Sequence, residues 1–235
     1  MAKAEFQNAK RDQSSLLAPL EKRALLWLAH RLPGWVNSDH LTALGFVAML
    51  LTGVTYWLAR WNRSELVAGI AFLALNWFGD SLDGTLARVR NRQRPRYGFY
   101  VDHMPDSIGT AALLGGLALS SFMSEWIGLS LLVVFLLMSI QSYLATYTLG
   151  TFQLSFWKFS PTELRVLLMA GNIALLARGP MARLAGRSFL LFDIGGVAGI
   201  VGMTAMLIVS SIRTTRTLYR LEPLDKPSGP EGGRA

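Results

Sequence analysis

Six apolar stretches, near Leu41–Trp61, Leu66–Leu86, Phe99–Phe122, Trp126–Leu149, Thr162–Ala177 and Leu190–Ile212, occupy most of this sequence of 235 residues. A helix of about 20 apolar residues crosses the hydrocarbon layer of a bilayer. Only a helix or a closed barrel can do so with every backbone hydrogen bond satisfied. The pattern therefore predicts an all-α polytopic membrane protein with six transmembrane helices. Composition agrees: charged residues make up 16% of the chain and hydrophobic residues 51%, whereas a soluble domain is roughly a quarter charged. The fifth stretch is the least apolar, being short and carrying Glu163, Arg165 and Asn172.

The flanks divide by composition. Residues 1–14 are polar, with no apolar core that would make them a secretory signal. In residues 15–34, Leu16, Leu17, Leu20, Ala24, Leu28 and Leu32 fall near helical spacing, with Glu21, Lys22, Arg23 and Arg31 between them. That pattern predicts an amphipathic helix lying in the cytoplasmic interface; a soluble helix packed on the domain is the plainer alternative. Pro33-Gly34 ends it, and Trp27 and Trp35 suit the headgroup layer. Residues 35–221 form the six-helix domain, and residues 222–235, rich in Pro and Gly, read as a disordered tail.

With both termini in the cytoplasm, the cytoplasmic connections and ends carry eighteen Lys and Arg residues and the other side five. This asymmetry sets the orientation. The net charge of +8 is then explained by basic cytoplasmic loops and anionic headgroups, with no nucleic-acid partner needed. Cysteine is absent, which removes disulfides, a thiol nucleophile and Cys-based zinc sites.

The chemistry concentrates between the second and third apolar stretches. Asp80 and Asp83 are three residues apart, Asp102 and Asp106 four apart, so each pair shares a helix face. A helix–loop–helix turn brings both pairs to the cytoplasmic surface. An ionised Asp at membrane depth costs roughly 2.5–3.5 kcal/mol, so positive charge must compensate four of them. Carboxylates are hard ligands suited to Mg²⁺ or a similar divalent ion. Two such ions about 4 Å apart clamp a phosphoryl group in an in-line displacement. Gly84 and Gly98 let a ligand approach the backbone, and Arg88 can meet a pyrophosphate bidentately. Arg90, Arg92, Arg94 and Arg96 alternate in the connection and read as a positive-inside anchor for lipid phosphates. Pro105 is expected to kink the third span beside the carboxylates.

The pattern D-x2-D-G-x2-A-R-x9-G-x3-D-x3-D, formed by Asp80, Asp83, Gly84, Ala87, Arg88, Gly98, Asp102 and Asp106, resembles the signature of the CDP-alcohol phosphotransferases. The gap between Arg88 and Gly98 is nine residues, one more than is common in that family, and it lies in the loop. The segment Trp35–Thr42, leading into the first span, also resembles the family. This resemblance implies a six-helix membrane enzyme, usually a homodimer, in the bacterial inner membrane, with a cytoplasm-facing site for two divalent cations, Mg²⁺ or Mn²⁺. Such enzymes move a substituted phosphate from a CDP-linked donor to an acceptor hydroxyl and release CMP. By position, Asp80, Asp83 and Asp102 would ligate the metals. Asp106 would touch the metal site and act as general base, and Gly84, Ala87, Arg88 and Gly98 would receive the cytidine diphosphate.

Members that take phosphorylated acceptors tend to carry a K-x-R pair late in the fourth span, where this chain has Ser142-Tyr143-Leu144-Ala145-Thr146-Tyr147. Asp102-His103-x-x-Asp106-Ser107 and Thr162-Glu163 resemble instead the choline and ethanolamine phosphotransferases, which join a CDP-amino alcohol to diacylglycerol. His103 is a candidate contact to nucleotide or acceptor, or a helix-start histidine satisfied by a neighbour. Glu163 either meets a cationic headgroup or, the plainer reading, caps the fifth helix after Pro161. Lys158 and Arg165 could hold a phosphate, which keeps phosphatidyl transfer from CDP-diacylglycerol to inositol, serine, glycerol phosphate or inositol phosphate as the alternative. Asp193 reads as a residue of the outer interface, paired with Arg187. A cation transporter would spread its acids along a path, and a lipid-binding scaffold gives no reason for the Asp spacing. The enzyme reading leads both.

Overall fold

The computed structural model describes residues 18–149, 161–184 and 186–224. Seven helices account for nearly all of them: α1 (Ala18–Arg31), α2 (Ser38–Leu58), α3 (Glu65–Val89), α4 (Pro95–Ala118), α5 (Glu125–Leu149), α6 (Pro161–Arg178) and α7 (Leu191–Leu221). Two short strands, β1 (Met181–Leu184) and β2 (Arg187–Leu190), pair antiparallel between α6 and α7. No alternating pattern in the sequence announces that hairpin. Residues 1–14, the first residues of the expected interfacial helix, Lys158 and most of the expected tail lie outside the described residues.

Each of the six apolar stretches falls on one helix, α2 to α7 in order. Four of these helices, α2, α3, α5 and α7, are long and apolar enough to cross a membrane. α4 and α6 are not among those four, because they carry Asp102, Asp106, Glu163 and Arg165. Only 11% of the most apolar window of α5, and of α7, is buried inside the protein. Leu129, Val133, Leu137 and Ile140 on α5, and Val201 and Ile208 on α7, face outward. Helices this apolar on their outer faces have lipid as their solvent. The chain is an integral membrane protein.

Local signals explain the boundaries. Asn37 caps α2 by a capping box: its side chain accepts from the His40 amide at 3.0 Å, while His40 Nδ1 accepts from the Asn37 amide at 3.4 Å. α3 runs past Leu86 to Val89 and closes with Asn91 at φ 52. There the Arg92 amide donates to Ala87 and the Asn91 amide to Arg88, the pairing of a Schellman cap. α4 begins at Pro95, a residue suited to a first turn, and continues unbroken through Pro105. α7 passes Ile212 and stops only at Glu222, where the following Pro223 disfavours the helical region and the backbone sits at φ −125 and ψ 71.

α2 is the central helix, and it touches α3 and α4 at glycine distance. A Cβ built on Gly79 would lie 2.5 Å from the Leu41 carbonyl oxygen and 2.6 Å from the Gly45 nitrogen. One built on Gly116 would lie 2.0 Å from the Gly53 carbonyl oxygen, and one on Gly53 2.2 Å from that of Ala112. Small residues at membrane helix crossings permit this approach. Around them Tyr56, Leu66, Leu73, Leu113, Leu117, Leu175 and Phe192 form the main core. In it Tyr56 donates to Asn172 Oδ1 at 3.0 Å.

A second cluster, Leu25, Ala29, Leu41, Leu82 and Leu86, binds α1 to the ends of α2 and α3. The inward face of α1 is thus Glu21, Leu25, Leu28 and Ala29, while Leu20, assigned to the apolar stripe from spacing, is exposed. Glu21 fixes this docking, accepting from Trp77 Nε1 at 3.0 Å and from Thr162 Oγ1 at 2.7 Å. Asp193 is held by Ser124, whose amide and hydroxyl donate to it at 2.6 and 2.5 Å, in place of the expected Arg187.

The packing makes a paired prediction. Gly116→Ala forces a methyl into the α2 backbone and should destabilise the protein by about 1–3 kcal/mol or more, as overpacking does. Its neighbour Gly115 has open space where a Cβ would stand, so Gly115→Ala should be neutral or stabilising by up to about 1 kcal/mol. Thermal unfolding of both variants in detergent micelles compares them, and equal effects would contradict the packing.

Candidate active site

The site lies where the end of α3 meets the start of α4. Asp80 comes from α3, and Asp102 and Asp106 come from consecutive turns of α4. Each offers a carboxylate oxygen within 4.8 Å of the others, and each is half-buried. Thr42, Gly45 and Phe46 of α2, with Asn76 of α3, close the pocket these carboxylates line. Asp83 lies at the same end but outside the group of three. Its carboxylate accepts from Thr42 Oγ1 at 2.6 Å and from the Gly84 amide. Its backbone carbonyl accepts from Ser38 Oγ at 2.9 Å, so the first turn of α2 pins this stretch of α3.

Like charges crowd the site. Asp80, Asp83 and Asp102 all act on Asp106 with like charge, opposed by Arg165. Arg165 is itself buried, and its guanidinium donates to Asp80 Oδ2 at 2.5 Å. Four carboxylates thus gather at one end of the bundle, one of them bonded to the Arg165 guanidinium, in a medium where charge is weakly screened. All the donors are hard carboxylate oxygens on two rigid helices, a set suited to a divalent cation.

The other residues singled out in the sequence surround this centre. Gly84 and Ala87 are half-buried on α3, and Arg88 is exposed in its last turn, donating to Thr85 Oγ1 at 3.0 Å. Gly98 sits in the first turn of α4 with nothing near a notional Cβ. His103 bonds the Phe99 carbonyl through Nδ1 at 2.8 Å, stacks on the Phe99 ring at 4.3 Å and meets Tyr143 edge-on at 5.6 Å. Glu163 is half-buried in the first turn of α6.

Two members of the arginine series do internal work. Arg90 donates to the carbonyls of Leu32 and Pro33, both at 2.9 Å, and to those of Gly34 and Val36, clasping the connection between α1 and α2. Arg94 pairs with Asp39 and stacks over Tyr97, and the Asp39 hydrogen bond pushes its guanidinium further up. Arg90 is thereby engaged within the fold, whereas more than half of the Arg94 side chain stays exposed. The sequence alone singles out no function for Asn76, and Thr42 stands in it only as the end of the Trp35–Thr42 segment. A lone amide in an apolar run, four residues before Asp80, was the signal that could have found Asn76.

A family model for CDP-alcohol phosphatidyltransferase matches residues 36–211. The chain belongs to the CDP-alcohol phosphatidyltransferase family, as the spacing of its motif implied. A comparison with curated proteins finds no match.

The buried pair yields a second prediction. Arg165→Met leaves Asp80 without its bonded guanidinium and should destabilise the metal-free protein by about 3–5 kcal/mol, the usual cost of breaking a buried ion pair. Added Mn²⁺ should recover most of that loss if the carboxylates take a cation. Thermal unfolding in EDTA and in Mn²⁺ measures both, and a variant as stable as wild type in EDTA would contradict the electrostatic account.

Proposed function

We propose that this family member is a phospholipid-synthesis enzyme that transfers a substituted phosphate from a CDP-linked alcohol to an acceptor hydroxyl, with release of CMP. The observation that carries the reading is the approach of Asp80, Asp102 and Asp106 to within 4.8 Å inside a chain of this family. In this reading Asp80, Asp83, Asp102 and Asp106 hold two divalent cations, Mg²⁺ or Mn²⁺. The crowding of four carboxylates at one end of the bundle is what such ions would relieve. Asp83 keeps lone pairs for a ligand beyond its bonds to Thr42 and Gly84. When bound, the cations supply charge neutralisation for the pyrophosphate and alignment of its reacting oxygens.

The remaining steps belong to side chains. Arg88, at the mouth of the site, binds the pyrophosphate bidentately. Gly84, Ala87 and Gly98 leave room for the nucleotide to lie against the backbone. Asp106 accepts the proton of the acceptor hydroxyl as its oxygen bonds to the transferred phosphorus. The phosphorus–oxygen bond to CMP breaks, and CMP leaves with that oxygen. The site and both termini face the cytoplasm, and α1 lies at the cytoplasmic interface of a bacterial inner membrane. α4 and α6 complete six membrane-spanning helices, and the protein works as a homodimer.

For the substrates, transfer from CDP-choline or CDP-ethanolamine to diacylglycerol is the leading assignment. Arg165, one of two cations that could grip a second phosphate, is already bonded to Asp80. Phe99 and Tyr143 around His103 offer aromatic faces of the kind that suit an ammonium headgroup, and Glu163 offers it a carboxylate. Phosphatidyl transfer from CDP-diacylglycerol to a small polar alcohol is the alternative.

CMP release by the purified protein with Mg²⁺ or Mn²⁺ tests the reading. CDP-choline or CDP-ethanolamine with diacylglycerol should give release that falls about 10²–10⁴-fold in Asp106→Asn, the usual worth of a general base. Release only from CDP-diacylglycerol would move the protein to the alternative. No release from any pair by folded protein would reject the enzyme reading.

A further inference from the structure

Asn76 is the one pocket side chain of α3 that the reaction above does not use. It is 2% exposed and lies one turn before Asp80, so the two share a face of α3. Its Nδ2 donates to the Gly45 carbonyl at 2.9 Å. A backbone carbonyl can only accept, so this bond fixes which way the amide is turned and leaves Oδ1 as its remaining polar atom. That oxygen is buried and has no hydrogen-bond partner among the described residues. Buried polar atoms are nearly always satisfied, and one left over points to something that binds it. Asn76 lines the same pocket as Asp80, Asp102 and Asp106.

We propose that Asn76 Oδ1 is a further ligand for the divalent cation held by Asp80, Asp102 and Asp106. The inference rests on the cation reading given under Proposed function. An amide carbonyl is a hard oxygen donor of the kind Mg²⁺ and Mn²⁺ accept. Being neutral, it adds coordination without adding charge to a group already crowded with carboxylates. The Gly45 bond holds it in place before the ion arrives, and α2 thereby contributes to the site through its backbone.

Mn²⁺ titration of the full chain in lipid nanodiscs, followed by the EPR signal of the free ion and without substrate, tests this. Asn76→Ala should weaken Mn²⁺ binding about tenfold, and Asn76→Asp, which adds a charged oxygen, should tighten it several-fold. Both substitutions remove the bond to Gly45, so a purely structural role weakens binding in both alike. Equal weakening, or wild-type affinity in both, overturns the inference while leaving the cation reading intact. A wild-type chain that binds no Mn²⁺ overturns the cation reading and this inference with it. If Asn76→Ala fails to fold, the affinity of Asn76→Asp decides alone.

Discussion

Everything at the site depends on how closely α2 lets its neighbours approach. In lipid there is little hydrophobic force between helices, so their association relies on close packing and interhelical hydrogen bonds. Gly45 with Gly79, and Gly53 with Gly116, remove the side chains that would hold α3 and α4 away from α2. The first pair lies just before Asp80, so the contact that joins α2 to α3 also sets Asp80 against the pocket wall. The second holds α4 at the far end of the same helix. With α4 fixed along α2, Asp102 and Asp106 have one place to go, beside Asp80. Backbone contact of this kind is stiff, which is what a constellation of charged groups needs if it is to keep its geometry.

Charge is the complementary constraint. Four carboxylates at one end of an apolar bundle repel one another, and their desolvation opposes folding. The chain answers locally with the Gly84 amide on Asp83, and over long range with Thr42 on Asp83 and Arg165 on Asp80. These contacts recruit α2 and α6 to the site, so each element that lines it also stabilises it. α1 joins through Glu21, which ties Trp77, next to Asn76, to Thr162 at the start of α6. The Arg90 clasp then fixes the connection from which α2 starts. This concentration of carboxylate oxygens at one place is the property a divalent cation requires.

The parts of this arrangement that are local in sequence could be read from it. Apolar runs place the helices, and the spacing of Asp80, Asp83, Asp102 and Asp106 places two acidic faces on either side of one turn. The parts that depend on distant residues could not be read. Nothing in the sequence links Arg165 to Asp80 or Thr42 to Asp83, because the partners are chosen by helix packing. Spacing on α1 put Leu20 on the inner face, whereas Glu21 and its two partners turn Leu25 and Ala29 inward. The arginines after α3 look alike as a charge series; only the fold distinguishes Arg90, surrounded by four carbonyls, from its neighbours. The β1–β2 hairpin has strands of four residues each, too short for a periodic pattern to reveal.

The central claim is that the carboxylates of α3 and α4 form a divalent-cation site. An anomalous difference map from crystals of the protein grown with Mn²⁺ and CDP tests it most directly. The account predicts a peak within coordination distance of Asp80, Asp102 and Asp106, about 2.0–2.6 Å from their oxygens, with CDP phosphate oxygens completing the shell. A map with no peak in this pocket, and Arg165 still seated on Asp80 as the cluster's cation, would contradict it.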